Sequence, residues 1–212
     1  MKIAAIIPVK TFSKAKTRLD LSPQQVEDLC IVMLEEILHT ISISPQIEKT
    51  IIVTKEEKAI EIGKRFNAIV IKDEKEESVN GAVALADKYL LENGFHASIV
   101  FPQDIPFLKT QDIDFMLNYK THPNFAIIVP SRRFDGTNAL VRMPIDLMDT
   151  HYDEDSYKIH MNTAKEHTLN VAMVFVKRIM LDIDNTEDLK FVLEQDEKPE
   201  IREKIKRIIK SN

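Results

Sequence analysis

At 212 residues the chain is long enough for one large domain or two small ones, and with 44% apolar and 30% charged residues it can bury a sizeable core. A net charge of -5 speaks against a non-specific nucleic-acid binder, no apolar run approaches the roughly 18 residues of a membrane span, and the single cysteine, Cys30, rules out an intramolecular disulfide. The strand pattern begins at Lys2 with no secretory signal ahead of it, so the expectation is a soluble, cytoplasmic protein with no nucleic-acid or membrane partner.

The first apolar run, "KIAAIIPV", has the continuity of a strand buried on both faces. "SPQQVEDLCIVMLEEILHTI" predicts a helix capped by Ser22 with Pro23 in its first turn, and Cys30 falls on its apolar face as a core residue. "KTIIVT" predicts a second strand, "KEEKAIEIGKRF" a second helix and "NAIVI" a third strand. "SVNGAVALADKYLLENG" predicts a helix closed by Gly94, followed by the strand "ASIVFP", the short helix "TQDIDFMLNYK" and the strand "FAIIVP". Alternating strands and helices imply crossover units and a mostly parallel α/β sheet. From Asn138 the rhythm changes: a strand at "NALVRM", a short helix at "SYKIHMNTAKEH", a strand at "NVAMVFV", then helices at "TEDLKFVLEQ" and "PEIREKIKRIIKSN". With no linker or low-complexity tract, residues 1–212 read as one domain.

Ligands of such sheets gather beyond the carboxyl ends of the strands. After the first strand, Lys10, Lys14, Lys16 and Arg18 place four cations in nine residues of an acidic chain. They would repel one another unless an anion sits among them, and a phosphate-rich ligand supplies one; a solvated face is the bland alternative. The glycine-rich phosphate loops are absent, so side chains would have to hold the phosphates. In "FPQDIPFL", Asp104 stands either as a turn residue or as a magnesium ligand at a strand tip. In "LDIDNTEDL", an extended chain puts Asp182 and Asp184 on one face, where a cation would relieve their repulsion; alternatively Asp184 caps the next helix. In "SRRFDGTNAL", Gly136 permits a backbone conformation closed to other residues, so that nearby amides and the Thr137 hydroxyl can meet an anionic oxygen; a plain turn reads equally well. Of the histidines, His160 is nearest a candidate loop, while His39, His96, His122, His151 and His167 are scattered without metal-ligand spacing.

Taken in order, "IPVK", "AKTRL", "VNGAVALA", "FPQDIPFL", "DGTNAL", "SYKIH" and "LDIDNTEDL" resemble the 2-phospho-L-lactate guanylyltransferases of coenzyme F(420) biosynthesis, from Ile7 to about Leu189. "AKTRL" and "DGTNAL" are the most specific pieces. The resemblance implies a three-layer α/β/α sandwich of the glycosyltransferase-A-like, nucleotide-diphospho-sugar transferase architecture, and a homodimer. It implies transfer of GMP from GTP to a small phosphorylated acid, giving lactyl-2-diphospho-5'-guanosine and pyrophosphate when that acid is 2-phospho-L-lactate. By the same resemblance Lys10, Lys14, Lys16 and Arg18 hold the triphosphate, with Lys10, Lys16, Arg18 and Asp104 catalytic. Pro8, Asn80, Gly81 and Pro102 adjoin the nucleotide, and Gly136, Thr137, Asn138 and Ser156 line the acceptor site. Asp104, Asp182 and Asp184 hold Mg2+. Phosphoenolpyruvate and 3-phosphoglycerate remain alternative acceptors, and a non-catalytic nucleotide-binding regulator is the rival from another class. One departure is the acidic run Asp153, Glu154 and Asp155 just before Ser156, where relatives usually carry glycines. Turned inward, it would repel an anionic acceptor.

Overall fold

The first apolar run becomes β1 (Ile3–Pro8), buried throughout except at its last residue. Strands β2 (Lys49–Val53) and β4 (Ala97–Val100) flank it in parallel, and β3 (Ile69–Ile71) extends the sheet beyond β2. On the other side β6 (Thr137–Met143) pairs antiparallel with β4 and with β5 (Phe125–Pro130), and β7 (Val171–Met173) closes the edge parallel to β5. The order is β3-β2-β1-β4-β6-β5-β7. The computed structural model describes residues 1–118, 123–153 and 155–211. The end of the expected helix at Tyr119 and Lys120, together with His122, Glu154 and Asn212, lies outside the described residues.

The mostly parallel sheet follows from the helical crossovers. The reversal at β6 follows from the connection before it: only residues 131–136 separate β5 from β6, too few for a parallel crossover and enough for a hairpin. The reversal brings the first residues of β6, Thr137 and Asn138, to the edge of the sheet where β1 and β4 end.

Helices cover both faces. Ile3, Ala5 and Ile7 of β1 join a core with Cys30 and Leu34 of α1 (Pro23–Ser42), Ile62 of α2 (Glu57–Arg65) and Ile113 of α4 (Thr110–Leu117). Ala4 and Ile6, facing the other way, pack with Val83 and Ala86 of α3 (Val79–Glu92) and Ala164 of α5 (Ser156–His167). The two-residue period of a strand thus feeds two cores. A third cluster sets α6 (Thr186–Glu194) and α7 (Pro199–Lys210) on α1, through Leu29, Met33, Leu189, Ile201 and Ile205. Each fully buried Leu or Ile contributes about 1.5–3 kcal/mol. The expected cap of α1 is present as a reciprocal pair: Ser22 accepts from the Gln25 amide, and the Gln25 side chain accepts from the Ser22 amide. The strand expected over "NVAMVFV" is shorter than its apolar run, because after Val174 bonds Ile128 the chain turns away and leaves Phe175 60% exposed.

Candidate active site

Three segments meet beyond the carboxyl ends of β1 and β4. After Pro8 the chain makes a short 3-10 turn, Phe12–Lys14, pinned by the buried Phe12 ring. Lys16 then takes a left-handed conformation, φ 55°, and Leu19 plugs back into the core. After β4, Phe101 bonds Ile6 and is buried, which fixes the course of Pro102 to Asp104. The Ile183 amide donates to the Asp104 carbonyl at 3.2 Å, so Asp182 and Asp184 are stitched to the same place. Arg18 pairs as a single bridge with Asn185. Two adjoining cavities, of about 340 and 720 Å³, share Lys10, Arg18, Pro102, Asp104, Thr137 and Asp184 among their lining residues.

The four cations have separate fates. Lys10 and Arg18 face the shared cavity, and no carboxylate among the described residues forms an ion pair with either. Lys14 leans on Glu76 at 3.4 Å. Lys16 is buried between Asp104, which it contacts closely, and Asp184, at 2.8 Å. Burial pulls the Lys16 ammonium down, but the two carboxylates outweigh it and leave its pKa above the usual lysine value.

Glu76 and Glu56 hold this loop in place. The Glu76 carboxylate accepts from the Thr11 amide (2.5 Å), the Thr11 hydroxyl (2.9 Å) and Lys55 (3.0 Å), and Glu56 accepts from the Phe12 amide (3.0 Å). Burial works to raise the Glu76 pKa, yet these donors bring it down to about 2. A carboxyl whose folded pKa lies below its unfolded value near 4.5 stabilises fully above that value, and the gain fades as pH falls toward about 2. Glu76→Gln is therefore expected to lower the urea midpoint at pH 7, with the gap to wild type narrowing as the buffer is taken from pH 5 to pH 2.5. A gap that stays constant across that range would remove Glu76 from this role.

Among the carboxylates, Asp182 accepts from the Asn138 amide at 2.9 Å, and that amide also donates to the Ile179 carbonyl at 3.0 Å. Burial, then the neighbouring Asp104 charge, push the Asp182 carboxyl up to about 7. Asp104 is raised by the same burial, with Lys16 opposing; burial works to raise Asp184 too, but Lys16, with Arg18 and Arg133, outweighs it and leaves Asp184 lowered. Among the described residues no three His, Cys, Asp or Glu side chains form a ready-made metal cage. The donor set nevertheless suits a hard cation. Asp104 Oδ1 is buried with no hydrogen-bond partner, beside a second carboxylate, Asp182, that burial and the Asp104 charge drive toward protonation. The Lys16 ammonium partly compensates that negative charge.

Of the residues expected at an acceptor site, Thr137, Asn138 and Ser156 are all buried, and the Ser156 hydroxyl donates to Thr137 at 3.1 Å. Gly136 departs from expectation. It does not have positive φ; Phe134 does, at 58°. Its amide is not free for a ligand either, since it donates to the Ser131 hydroxyl at 3.1 Å. A Cβ at Gly136 would meet nothing nearer than Ser131 Cβ at 3.7 Å, so Gly136→Ala is expected to change stability by less than about 0.5 kcal/mol in a denaturant melt. Pro8 lines the smaller cavity and Pro102 both, but the neighbour of Asn80 and Gly81 that lines them is Val79. The Asn80 side-chain oxygen Oδ1 accepts from the Tyr152 amide at 2.8 Å, and the Gly81 amide caps α3 on Ser78 at 3.0 Å. Asp153 and Asp155 line the larger cavity, with Asp155 paired to Lys158 at 3.0 Å.

Sequence reasoning overlooked Tyr152, Gln103 and Arg133, which also line the cavities. The Tyr152 hydroxyl and the Gln103 side-chain oxygen Oε1 are buried without partners, like Asp104 Oδ1. An orphaned buried polar atom costs on the order of 1–3 kcal/mol, so these three are points of unmet hydrogen-bonding capacity in residues that line the smaller cavity. Arg133 pairs with Asp188 at 2.9 Å, and the adjacent Arg132 stacks over Phe191 at 4.3 Å. The "RR" pair in "SRRFDG" was the available signal for Arg133.

Known proteins resemble this chain along nearly its whole length. A 2-phospho-L-lactate guanylyltransferase from Methanobrevibacter smithii is 30% identical over 208 residues, covering 97% of this chain and 90% of that protein. A phosphoenolpyruvate guanylyltransferase from Conexibacter woesei is 30% identical over 192 residues, covering 89% and 86%. A crystal structure from Desulfovibrio desulfuricans G20, provisionally described as a nucleotide-diphospho-sugar transferase, superposes with a TM-score of 0.75 at 16% identity, over 98% of this chain and 99% of that one. It shares the fold. Among the described residues no helix is long and apolar enough to cross a membrane. The sequence model of the family described as "Guanylyl transferase CofC like" matches residues 3–210, and the chain belongs to that family of nucleotidyltransferases.

Proposed function

We propose that the protein is a magnesium-dependent guanylyltransferase that transfers GMP from GTP to 2-phospho-L-lactate, forming lactyl-2-diphospho-5'-guanosine and pyrophosphate in coenzyme F(420) biosynthesis. The observation that carries the proposal is that two unpaired cations, Lys10 and Arg18, line the same cavity as Asp104, Asp182 and Asp184. Such a site suits a polyphosphate whose charge is met by side chains and by a divalent cation. The 2-phospho-L-lactate guanylyltransferases among its relatives support the acceptor. The working form proposed is a cytoplasmic homodimer.

In the transfer, an oxygen of the acceptor phosphate attacks the α-phosphorus of GTP. The bond from that phosphorus to the bridging oxygen breaks, and pyrophosphate leaves. The attacking oxygen is already anionic, so no general base is needed. Lys10 and Arg18 hold the leaving pyrophosphate, and the Thr137 hydroxyl, which accepts from Ser156, donates to the acceptor. Magnesium held by Asp104, Asp182 and Asp184 would supply charge neutralisation at the reacting phosphates.

A second acceptor, phosphoenolpyruvate, is favoured by the Conexibacter woesei relative. It keeps phosphate and carboxylate on neighbouring carbons, whereas 3-phosphoglycerate moves them one carbon apart. The test supplies GTP with equimolar 2-phospho-L-lactate, phosphoenolpyruvate and 3-phosphoglycerate and weighs the guanylylated products. The lactyl adduct is expected to dominate, with GTP preferred to ATP in kcat/KM. A dominant phosphoenolpyruvate adduct moves the assignment to the second reading. A dominant 3-phosphoglycerate adduct refutes both, and equal use of ATP refutes the base preference.

A further inference from the structure

His160 has no place in that transfer, yet it is fully buried in α5 directly behind the acceptor side of the cavity. Both of its ring nitrogens are engaged. Nε2 faces the His151 backbone amide at 2.8 Å, and Nδ1 faces the Thr137 hydroxyl at 2.9 Å. A backbone N–H can only donate, so Nε2 must carry the lone pair and Nδ1 the proton. The Thr137 oxygen therefore accepts from His160 and also from Ser156, at 3.1 Å. With both lone pairs filled, its own hydrogen has one use left, which is to donate. Thr137 lines both cavities, and Ser156 lines the larger one beside it.

We propose that His160 is a positioning residue: its Nδ1–H, fixed by the His151 amide on the far side of the ring, commits the Thr137 hydroxyl to donate into the cavity toward an anionic oxygen of the acceptor. This deepens the guanylyltransferase reading and rests on it for the identity of the acceptor. The relay gives a role to a histidine whose pKa burial, with His151 and Arg142 nearby, holds down to about 3. A neutral ring in one tautomer is a rigid donor–acceptor pair, and it passes the fixed direction of a backbone amide to a hydroxyl that would otherwise rotate. Without His160, Thr137 is free to turn its hydrogen toward Ser156, and the cavity loses one donor. Tyr152, packed edge-on against the His160 ring with centroids 4.9 Å apart, keeps the ring from turning.

Two measurements test this. The first is steady-state pyrophosphate release by purified wild type, His160→Leu and His160→Asn, with each acceptor varied at saturating GTP and the reverse. His160→Leu is expected to raise the acceptor KM about tenfold, the loss of one donor to a charged group, with the GTP KM within about twofold. In His160→Asn the amide nitrogen takes the place of Nδ1, and most of the acceptor affinity should return. An acceptor KM that stays near wild type in His160→Leu, a parallel rise in both KM values, or no recovery in His160→Asn overturns the proposal. The second uses 15N-histidine NMR of the wild type without substrates, with the His160 signals assigned by their loss in His160→Asn. The Nδ1–H tautomer, unchanged between pH 5 and pH 9, is expected; the Nε2–H tautomer or a titration in that range overturns the relay even if the leucine variant fails to fold. If the wild type uses none of the three acceptors, the guanylyltransferase reading falls, and the tautomer still decides whether His160 directs Thr137.

Discussion

Asp104→Asn is expected to lower turnover about 10²–10³-fold at saturating magnesium and to leave the fold intact, a loss typical of removing one electrostatic stabiliser from a reacting centre. The side chain is only 12% exposed and lies where the loop after β4 meets the 181–185 segment. Its Oδ2 is engaged by Lys16 while Oδ1 has no partner, so one oxygen is structural and the other is available to a cation. Asparagine keeps the volume and can still accept from Lys16. It removes the charge that, after burial, does most to raise Asp182, so the Asp182 pKa should fall in the variant. Relief of repulsion among Asp104, Asp182 and Asp184 offsets the weaker contact with Lys16, which is why stability should hold. The check pairs pyrophosphate release with a thermal melt. Turnover above about half of wild type would sink the assignment of Asp104 to the metal, and a collapsed melt would make the loss structural.

Much of the sheet was legible because its signals are local. Apolar runs flanked by amphipathic helices located β1 to β5, and Ser22 with Pro23 marked the start of α1. The direction of β6 was not read, since a two-sided apolar run looks the same in either sense; the short connection 131–136 decides it. The site was legible as a set of residues and not as an arrangement. Lys10, Lys14 and Lys16 are indistinguishable as letters. The left-handed turn at Lys16 sends one ammonium inward, and Glu76, far along the chain, claims another. At "RRFDG" the sequence pointed to the glycine for an unusual backbone, yet the structure strains Phe134 instead, held by Ser131 bonds to Asp135 and Gly136. The orphaned hydroxyl of Tyr152 depends on burial by distant segments, and no local pattern announces it.

The second large effect is expected at Lys16, and the structure changes its character. On sequence alone Lys16 is one of four phosphate ligands, and Lys16→Ala would cost about ten- to a hundredfold in kcat/KM for GTP through one lost charge-assisted bond. In the fold its ammonium lies between Asp104 and Asp184 and is 6% exposed. Removing one partner of a buried charge cluster leaves the others uncompensated, which costs about 3–5 kcal/mol. Lys16→Ala should therefore lower stability as well as activity in magnesium-free buffer. A divalent cation drawn to the exposed carboxylates should restore part of the stability without restoring GTP use. Arg18→Ala separates the two effects, because Arg18 is exposed, lines both cavities and forms no ion pair among the described residues. It should weaken GTP use by a similar factor with little change in the melt. The measurements are denaturant midpoints with and without magnesium, alongside GTP kinetics, for both variants. Equal midpoints for Lys16→Ala and wild type in magnesium-free buffer would show that Asp104 and Asp184 do not depend on the ammonium. Unchanged GTP kinetics in both variants would leave Arg18 on a solvated face and Lys16 with a purely structural part, so the contrast between the two cations is what identifies one as the site's internal counter-ion and the other as its contact with the triphosphate.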